Sequence, residues 1–89
     1  MPLTPQDASR RIRDICRAAP IVPVLVVRDA AHARPLAEAL VAGGLPALEV
    51  TLRTPAALEA IRIMSGVPGG IVGAGTLLTP EDVRAAKAA

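Results

Sequence analysis

The sequence contains no phenylalanine, tyrosine or tryptophan among its 89 residues. Stacking of bases on aromatic side chains, the usual way of holding single-stranded nucleic acid, is therefore excluded. Ten Lys and Arg against eight Asp and Glu leave a net charge of +2, which is too small to indicate a nucleic-acid-binding surface. The one local concentration of positive charge, at Arg10, Arg11 and Arg13, is interpreted as a solvated helix face.

Cysteine and long apolar runs are also scarce. The single cysteine, Cys16, excludes an intrachain disulfide and a multi-cysteine metal site. Its helical pattern with Ile12 and Ile15 predicts a small buried hydrophobe. No stretch approaches the ~20 apolar residues of a membrane span, and early charges argue against a signal peptide. We therefore expect a soluble cytoplasmic protein without a membrane partner.

Apolar residues are abundant, at 52% of the chain. A small domain has a large surface to cover with polar groups, so this share is more than one small core requires. We expect a good part of the apolar surface to lie against further chain or a partner subunit.

Three apolar runs predict β-strands, at Val22–Val27, Ala47–Leu52 and Gly70–Ala74. The first and third are nearly continuous in apolar character, as in parallel strands that are covered on both faces. Helical patterns lie around them, so the order is a helix followed by three strand–helix units. This order is typical of α/β proteins with right-handed crossovers. It fits an open doubly wound sheet, or three of the eight units of a (β/α)8 barrel.

Threonine–proline pairs indicate where helices begin. Thr4, Thr54 and Thr79 each precede a proline and are predicted N-caps. Thr4 and Thr79 are also followed three residues later by an aspartate, as in a capping box. Asp29 is a further candidate N-cap, for a helix that the glycine pair 43–44 would end.

Glu49 is the most informative residue about function. Strand side chains alternate, so Glu49 shares a face with Thr51 and Arg53, while the other face is apolar: Leu48, Val50 and Leu52. The apolar face would pack on helices and the polar face would look into a barrel. A carboxylate held there, away from bulk water, can transfer protons near neutral pH. The alternative is a structural ion pair between Glu49 and Arg53.

Two further polar residues stand where predicted strands end. Arg53 closes the second strand, where a guanidinium can hold a carboxylate or phosphate through two hydrogen bonds; a solvated arginine is the alternative. Thr76 follows glycines at the end of the third strand, where a ligand could approach the backbone. Thr76 could donate to a small anion, or the segment could be a tight turn leading to Thr79.

The remaining chemical groups indicate no cofactor. His32 has no second ligand at metal spacing, which favours a surface or capping role. Neither a dinucleotide fingerprint nor a P-loop is present. Lys87, the only lysine, falls in a helical stretch and is assigned to solvent.

Three blocks of the sequence, IVPVLVV, LVAGGLPALEVTLRT and IVGAGTLLTPEDV, resemble a family of class I aldolases. The family cleaves 2-keto-3-deoxy-6-phosphogluconate (KDPG) and 4-hydroxy-2-oxoglutarate (KHG). The blocks span most of the chain, and LEVTLRT followed by GAGT is specific to this family. The resemblance implies a (β/α)8 TIM barrel. Residues 1–89 would form its N-terminal portion, an N-terminal helix plus three βα units.

The resemblance also implies a chemistry and an assembly. Members are homotrimers without metal or cofactor, in which a lysine forms a Schiff base with the pyruvate moiety of a keto acid. The bond then cleaves to pyruvate and an aldehyde, glyceraldehyde 3-phosphate or glyoxylate. Glu49 matches the acid/base, and Arg53 and Thr76 match residues that hold the pyruvate carboxylate and keto-acid end.

Two elements of the family pattern are missing from these 89 residues. The Schiff-base lysine lies on a later strand, as do the phosphate-binding loops, and Lys87 does not match its position. Two hypotheses therefore stay open. The chain is part of an aldolase and inactive alone, or it is a non-catalytic fragment or assembly module derived from such a barrel.

Overall fold

The computed structural model describes residues 3–89. In chain order the elements are α1 (Pro5–Arg17), β1 (Val24–Leu25), a 3₁₀ turn (Ala30–His32), α2 (Ala33–Ala42), β2 (Ala47–Thr51), α3 (Ala57–Ser65), β3 (Ile71–Gly75) and α4 (Pro80–Ala88). The predicted order of a helix followed by three strand–helix units is confirmed. Within the described range, no helix is long and apolar enough to cross a bilayer.

The three strands form one parallel sheet in the order β1-β2-β3. Val24 of β1 and Gly73 of β3 flank Glu49 of β2, and Gly75 pairs with Thr51. The first strand is shorter than predicted, since only Val24–Leu25 pairs. Pro23 has no N–H to donate, and β1 has a single neighbouring strand within the described sheet.

One face of the sheet carries the core. Leu48 and Val50 are 2% and 0% exposed and pack with small and aliphatic side chains, chiefly of α2 and α3: Ala33, Ala37, Ala57, Ala60, Ile61 and Met64. Leu52 is partly buried against the same cluster. The prediction that this face of β2 packs on helices is confirmed.

Two of the three predicted threonine caps are confirmed. Thr4 Oγ1 accepts a hydrogen bond from the Asp7 N–H at 3.1 Å, and Thr79 forms a complete capping box with Asp82. The prediction for Thr54 is wrong, because its hydroxyl donates to the carbonyl of Val27 instead. The helix α3 begins three residues later without a side-chain cap.

The predicted boundaries of α2 are both observed, except that a 3₁₀ turn lies between Asp29 and the helix. Asp29 Oδ1 accepts from the Ala31 N–H at 2.9 Å, so Asp29 caps the 3₁₀ turn that precedes α2. At the far end, Gly44 adopts a φ of 96°, the left-handed conformation that glycine tolerates best.

Cys16 is exposed, so the prediction that it is buried is wrong. The helix α1 contains no buried residue. Ile12, Ile15 and Cys16 instead line an open groove of about 400 Å³ between α1 and the sheet, with Val22 and Ile71 on the opposite wall. The apolar stripe of α1 was predicted correctly, but it meets a gap rather than a packed surface.

The second face of the sheet is only partly covered, and we call it the inner face. By register and alternation it comprises Val24, Val26, Ala47, Glu49, Thr51, Ile71, Gly73 and Gly75. Its large apolar side chains are accessible: Val24 is 61%, Val26 45% and Ile71 44% exposed. Both β1 and β3 also have one unpaired edge among the described strands.

We expect the 89-residue chain to be a soluble oligomer, an aggregate or a loosely packed state, because apolar surface and open strand edges favour association. Sedimentation velocity combined with amide hydrogen exchange measures this. The double variant Val24→Thr/Val26→Thr should associate less, since it keeps the side-chain shape but reduces the apolar surface. The control Leu58→Gln, at a 38%-exposed position on α3, should change association little. A compact monomer with protected amides in all three strands contradicts the prediction.

Candidate active site

Glu49 is half-buried in the middle of β2, on the inner face. Its backbone pairs with Gly73, yet its carboxylate reaches over Gly75, the last residue of β3. The carboxylate therefore turns toward the carboxyl edge of the sheet. The ion pairs among residues 3–89 lie within helices and involve neither Glu49 nor Arg53, so the alternative of an ion pair between them is not observed.

Arg53 stands in the turn after β2 rather than at the strand's last position. Its two neighbours in sequence are fixed on opposite sides. The Leu52 N–H donates to the Gly75 carbonyl at 2.9 Å, and the Thr54 hydroxyl donates to the Val27 carbonyl. The backbone of Arg53 is thus held between the exits of β1 and β3, while its side chain is exposed.

Thr76 directly follows β3 and has a φ of 59°. Among residues 3–89 it is the only non-glycine residue with positive φ. A left-handed conformation costs a β-branched residue free energy, and such residues concentrate at functional sites. Since the carboxyl ends of parallel strands share one edge, Thr76 and Arg53 stand at the same edge of the sheet, toward which Glu49 turns.

Two threonines that sequence reasoning did not assign to the site hold this edge together. Thr51, 3% exposed, donates through Oγ1 to the Leu25 carbonyl at 3.1 Å. Thr54, predicted as a helix cap, fixes the next turn to β1. Hydroxyl side chains at the end of β2 and in the turn that follows it were the signal for both.

The remaining candidates stand apart from this edge. His32 and Lys87 are both exposed, as the sequence predicted. Lys87 lies in the last turn of α4 and on no strand. Within residues 3–89, no group of three or more His, Cys, Asp or Glu side chains is arranged to hold a metal ion.

A parallel sheet with helices on one face and polar residues at its carboxyl edge fits a segment of an α/β enzyme. The family model "KDPG and KHG aldolase" matches residues 12–89, and the chain belongs to this family.

Individual relatives agree with the family assignment. The chain is 64% identical over 72 residues to the 2-dehydro-3-deoxy-phosphogluconate aldolase of Zymomonas mobilis, covering 81% of this chain and 35% of that protein. A crystal structure of the Zymomonas mobilis enzyme with 3-phosphoglycerate matches at a TM-score of 0.85 and 59% identity, over 89% of this chain and 38% of that one. The chain thus spans little more than a third of the relatives it matches.

A second solved structure adds a chemical state. The KDPG aldolase of Legionella pneumophila, with pyruvate captured at low pH as a covalent carbinolamine intermediate, matches at a TM-score of 0.76 and 44% identity. It covers 83% of this chain and 36% of its own length. These neighbours confirm the predicted fold class, an N-terminal helix and three βα units of a barrel.

We expect Thr76→Gly to stabilise the chain. Relief of the left-handed conformation raises the free energy of unfolding by about 1–2 kcal/mol. The larger conformational entropy of glycine in the unfolded chain lowers it by about 0.5–1 kcal/mol. The net gain, about 0–1.5 kcal/mol, is measured by chemical denaturation. The control Ala74→Gly, in the preceding strand, should lower stability by about 0.5–1 kcal/mol. Destabilisation by both substitutions alike contradicts the assigned strain.

Proposed function

We propose that this chain is part of a class I aldolase that cleaves KDPG to pyruvate and glyceraldehyde 3-phosphate, KHG to pyruvate and glyoxylate, or both. Family membership over residues 12–89 supports the reaction class. The observation that carries the proposal is the orientation of Glu49, whose carboxylate turns along the inner face toward the edge where β2 and β3 end. Active sites of (β/α)8 enzymes are built at that edge.

In this proposal the chain supplies proton transfer and substrate orientation. A lysine outside these 89 residues condenses with the substrate ketone, with loss of water, to give a protonated imine. Removal of the proton from the C4 hydroxyl then breaks the C3–C4 bond, and its electron pair moves toward the imine nitrogen to give an enamine. Glu49 is the group that accepts the proton of the C4 hydroxyl. The covalent carbinolamine of the Legionella pneumophila enzyme is in keeping with imine chemistry.

Arg53 and Thr76 are proposed to hold the keto-acid end of the substrate. A guanidinium pairs with a carboxylate through two parallel hydrogen bonds. The exposed side chain of Arg53 rises from a backbone held on both sides. Thr76, at the adjacent strand exit, is proposed to donate through its hydroxyl. We further propose that the active assembly is a cytoplasmic homotrimer, on the family resemblance.

A second candidate function is a non-catalytic assembly module. The exposed valines and isoleucine of the inner face and the unpaired edges of β1 and β3 favour it, because such a surface can pair with a complementary polypeptide without doing chemistry. The two candidates differ in whether Glu49 is needed for turnover when the rest of a barrel is supplied.

Glu49→Gln should lower turnover in a protein that joins this chain to the carboxyl-terminal part of the Zymomonas mobilis relative. The amide cannot exchange a proton near neutral pH, and acid–base assistance is worth about 10²–10⁴-fold. Imine formation with pyruvate should persist, which borohydride trapping and mass spectrometry detect.

The matched control for this experiment is Glu38→Gln, on the exposed side of α2. It removes the same charge from the same part of the chain and should leave turnover unchanged. If Glu49→Gln retains turnover close to that of the parent protein, Glu49 is a structural residue and the assembly module gains support.

The 89-residue chain by itself should show no retro-aldol activity and no borohydride-trapped pyruvate adduct. Its only lysine, Lys87, is exposed on α4 and lies on no strand among residues 3–89. Mass spectrometry after incubation with pyruvate and borohydride measures the adduct, with the joined protein as the positive control. A stoichiometric adduct on Lys87 would overturn this assignment.

A further inference from the structure

The inner face of β3 has no side chains beside Glu49. In the parallel register Ile71 pairs with Ala47, Gly73 with Glu49, and Gly75 with Thr51. Paired residues of neighbouring strands project to the same face. The strand therefore presents one isoleucine and then two bare positions, and these lie next to the polar half of β2.

The two glycines differ in what lies above them. A Cβ atom added to Gly75 would lie 2.5 Å from Oε2, 2.8 Å from Cδ and 3.3 Å from Cγ of Glu49. A Cβ atom added to Gly73 would meet nothing within 4 Å. The side chain of Glu49 thus passes the residue that it pairs with and rests on the glycine two positions further along β3.

Backbone conformation does not explain the glycine at position 75. Among the described glycines, only Gly44 and Gly69 have positive φ, so an L-residue fits the backbone of Gly75. What position 75 requires is space. Moreover, within residues 3–89 the carboxylate of Glu49 makes no hydrogen bond or ion pair with a protein group, and the space over Gly75 is the feature of the fold that accommodates it.

We propose that Gly75 is a positioning residue, which holds the Glu49 carboxylate at the carboxyl edge by having no side chain. A methyl group at position 75 displaces the carboxylate from the space over Gly75. The open space is over Gly73, two residues and about 6.6 Å back along the strand, away from Arg53 and Thr76. The catalytic part of this inference rests on the proposed aldolase function, whereas the placement of the Glu49 carboxylate by Gly75 does not.

The position of the Glu49 carboxylate is tested in the joined protein described above, with Gly75→Ala and the matched control Gly73→Ala on the same face of the same strand. Carboxyl ¹³C NMR of the glutamate-labelled joined protein, with the Glu49 signal assigned through Glu49→Gln, reports the surroundings of this carboxylate. Gly75→Ala should shift this signal, and its denaturation midpoint should lie below that of Gly73→Ala, because only the methyl group at position 75 displaces the carboxylate. Glu49→Asp, shorter by one methylene, should narrow the difference between the two midpoints. Gly73→Ala should leave the signal in place. If both glycine substitutions change the NMR signal and the midpoint equally, or if Glu49→Asp does not narrow the difference between the midpoints, Gly75 does not position the carboxylate.

The catalytic role is tested in the joined protein described above. Gly75→Ala should lower kcat by about 10²-fold, the scale on which a misplaced catalytic group reduces rate, with KM for the keto acid little changed; Gly73→Ala should keep kcat. If the parent is active and its Gly75→Ala variant retains kcat, the catalytic role of Gly75 is wrong but the proposed function stands. A parent without aldolase activity overturns both the proposed function and the role of Gly75 in it.

Discussion

The arrangement depends on the parallel pairing of β2 with a strand on each side. Val24 and Gly73 flank Glu49 in register, and this register decides which side chains share a face and which strand ends meet. A slip by one residue would turn Glu49 into the helix-covered core and bring Leu48 or Val50 to the inner face. The register is secured on the core side, where Leu48 and Val50 lose nearly all contact with water, and at the strand exits by the hydroxyls of Thr51 and Thr54.

The two faces of the sheet use small residues for opposite purposes. On the covered face, alanines of α2 and α3 let the helices approach the strands closely, and Leu48, Met64 and Val50 fill the remaining volume. A chain without aromatic residues can reach native packing density in this way. On the inner face, Gly73 and Gly75 leave room beside Glu49 instead of filling it. The cost is apolar surface left in water, which the rest of a barrel would cover.

Local patterns predicted most of the fold, because they depend on neighbours in sequence. Alternation in β2 and the threonine caps at Thr4 and Thr79 are features of this kind. The predictions for Thr54 and Cys16 were wrong for a common reason: the environment of each is set by parts of the chain distant in sequence. The hydroxyl of Thr54 meets the Val27 carbonyl of another strand, and Cys16 meets an open groove. The face of Glu49 followed from alternation, whereas Arg53 lies in the turn beyond β2, where alternation no longer applies. The direction of the Glu49 carboxylate depends on the space over Gly75.

Gly75 and Thr76 together indicate that this edge is shaped by more than stability. Position 75 has ordinary strand backbone, where a side chain would restrict the unfolded chain and favour folding, yet it holds glycine. Position 76 has left-handed backbone, where glycine costs least, yet it holds a β-branched residue. Stability alone would favour the reverse order. The Glu49 carboxylate occupies the space at position 75, and the proposed ligand-binding role of the Thr76 hydroxyl would account for a threonine at position 76. Departures from local preference of this kind are expected where a site takes precedence over the fold.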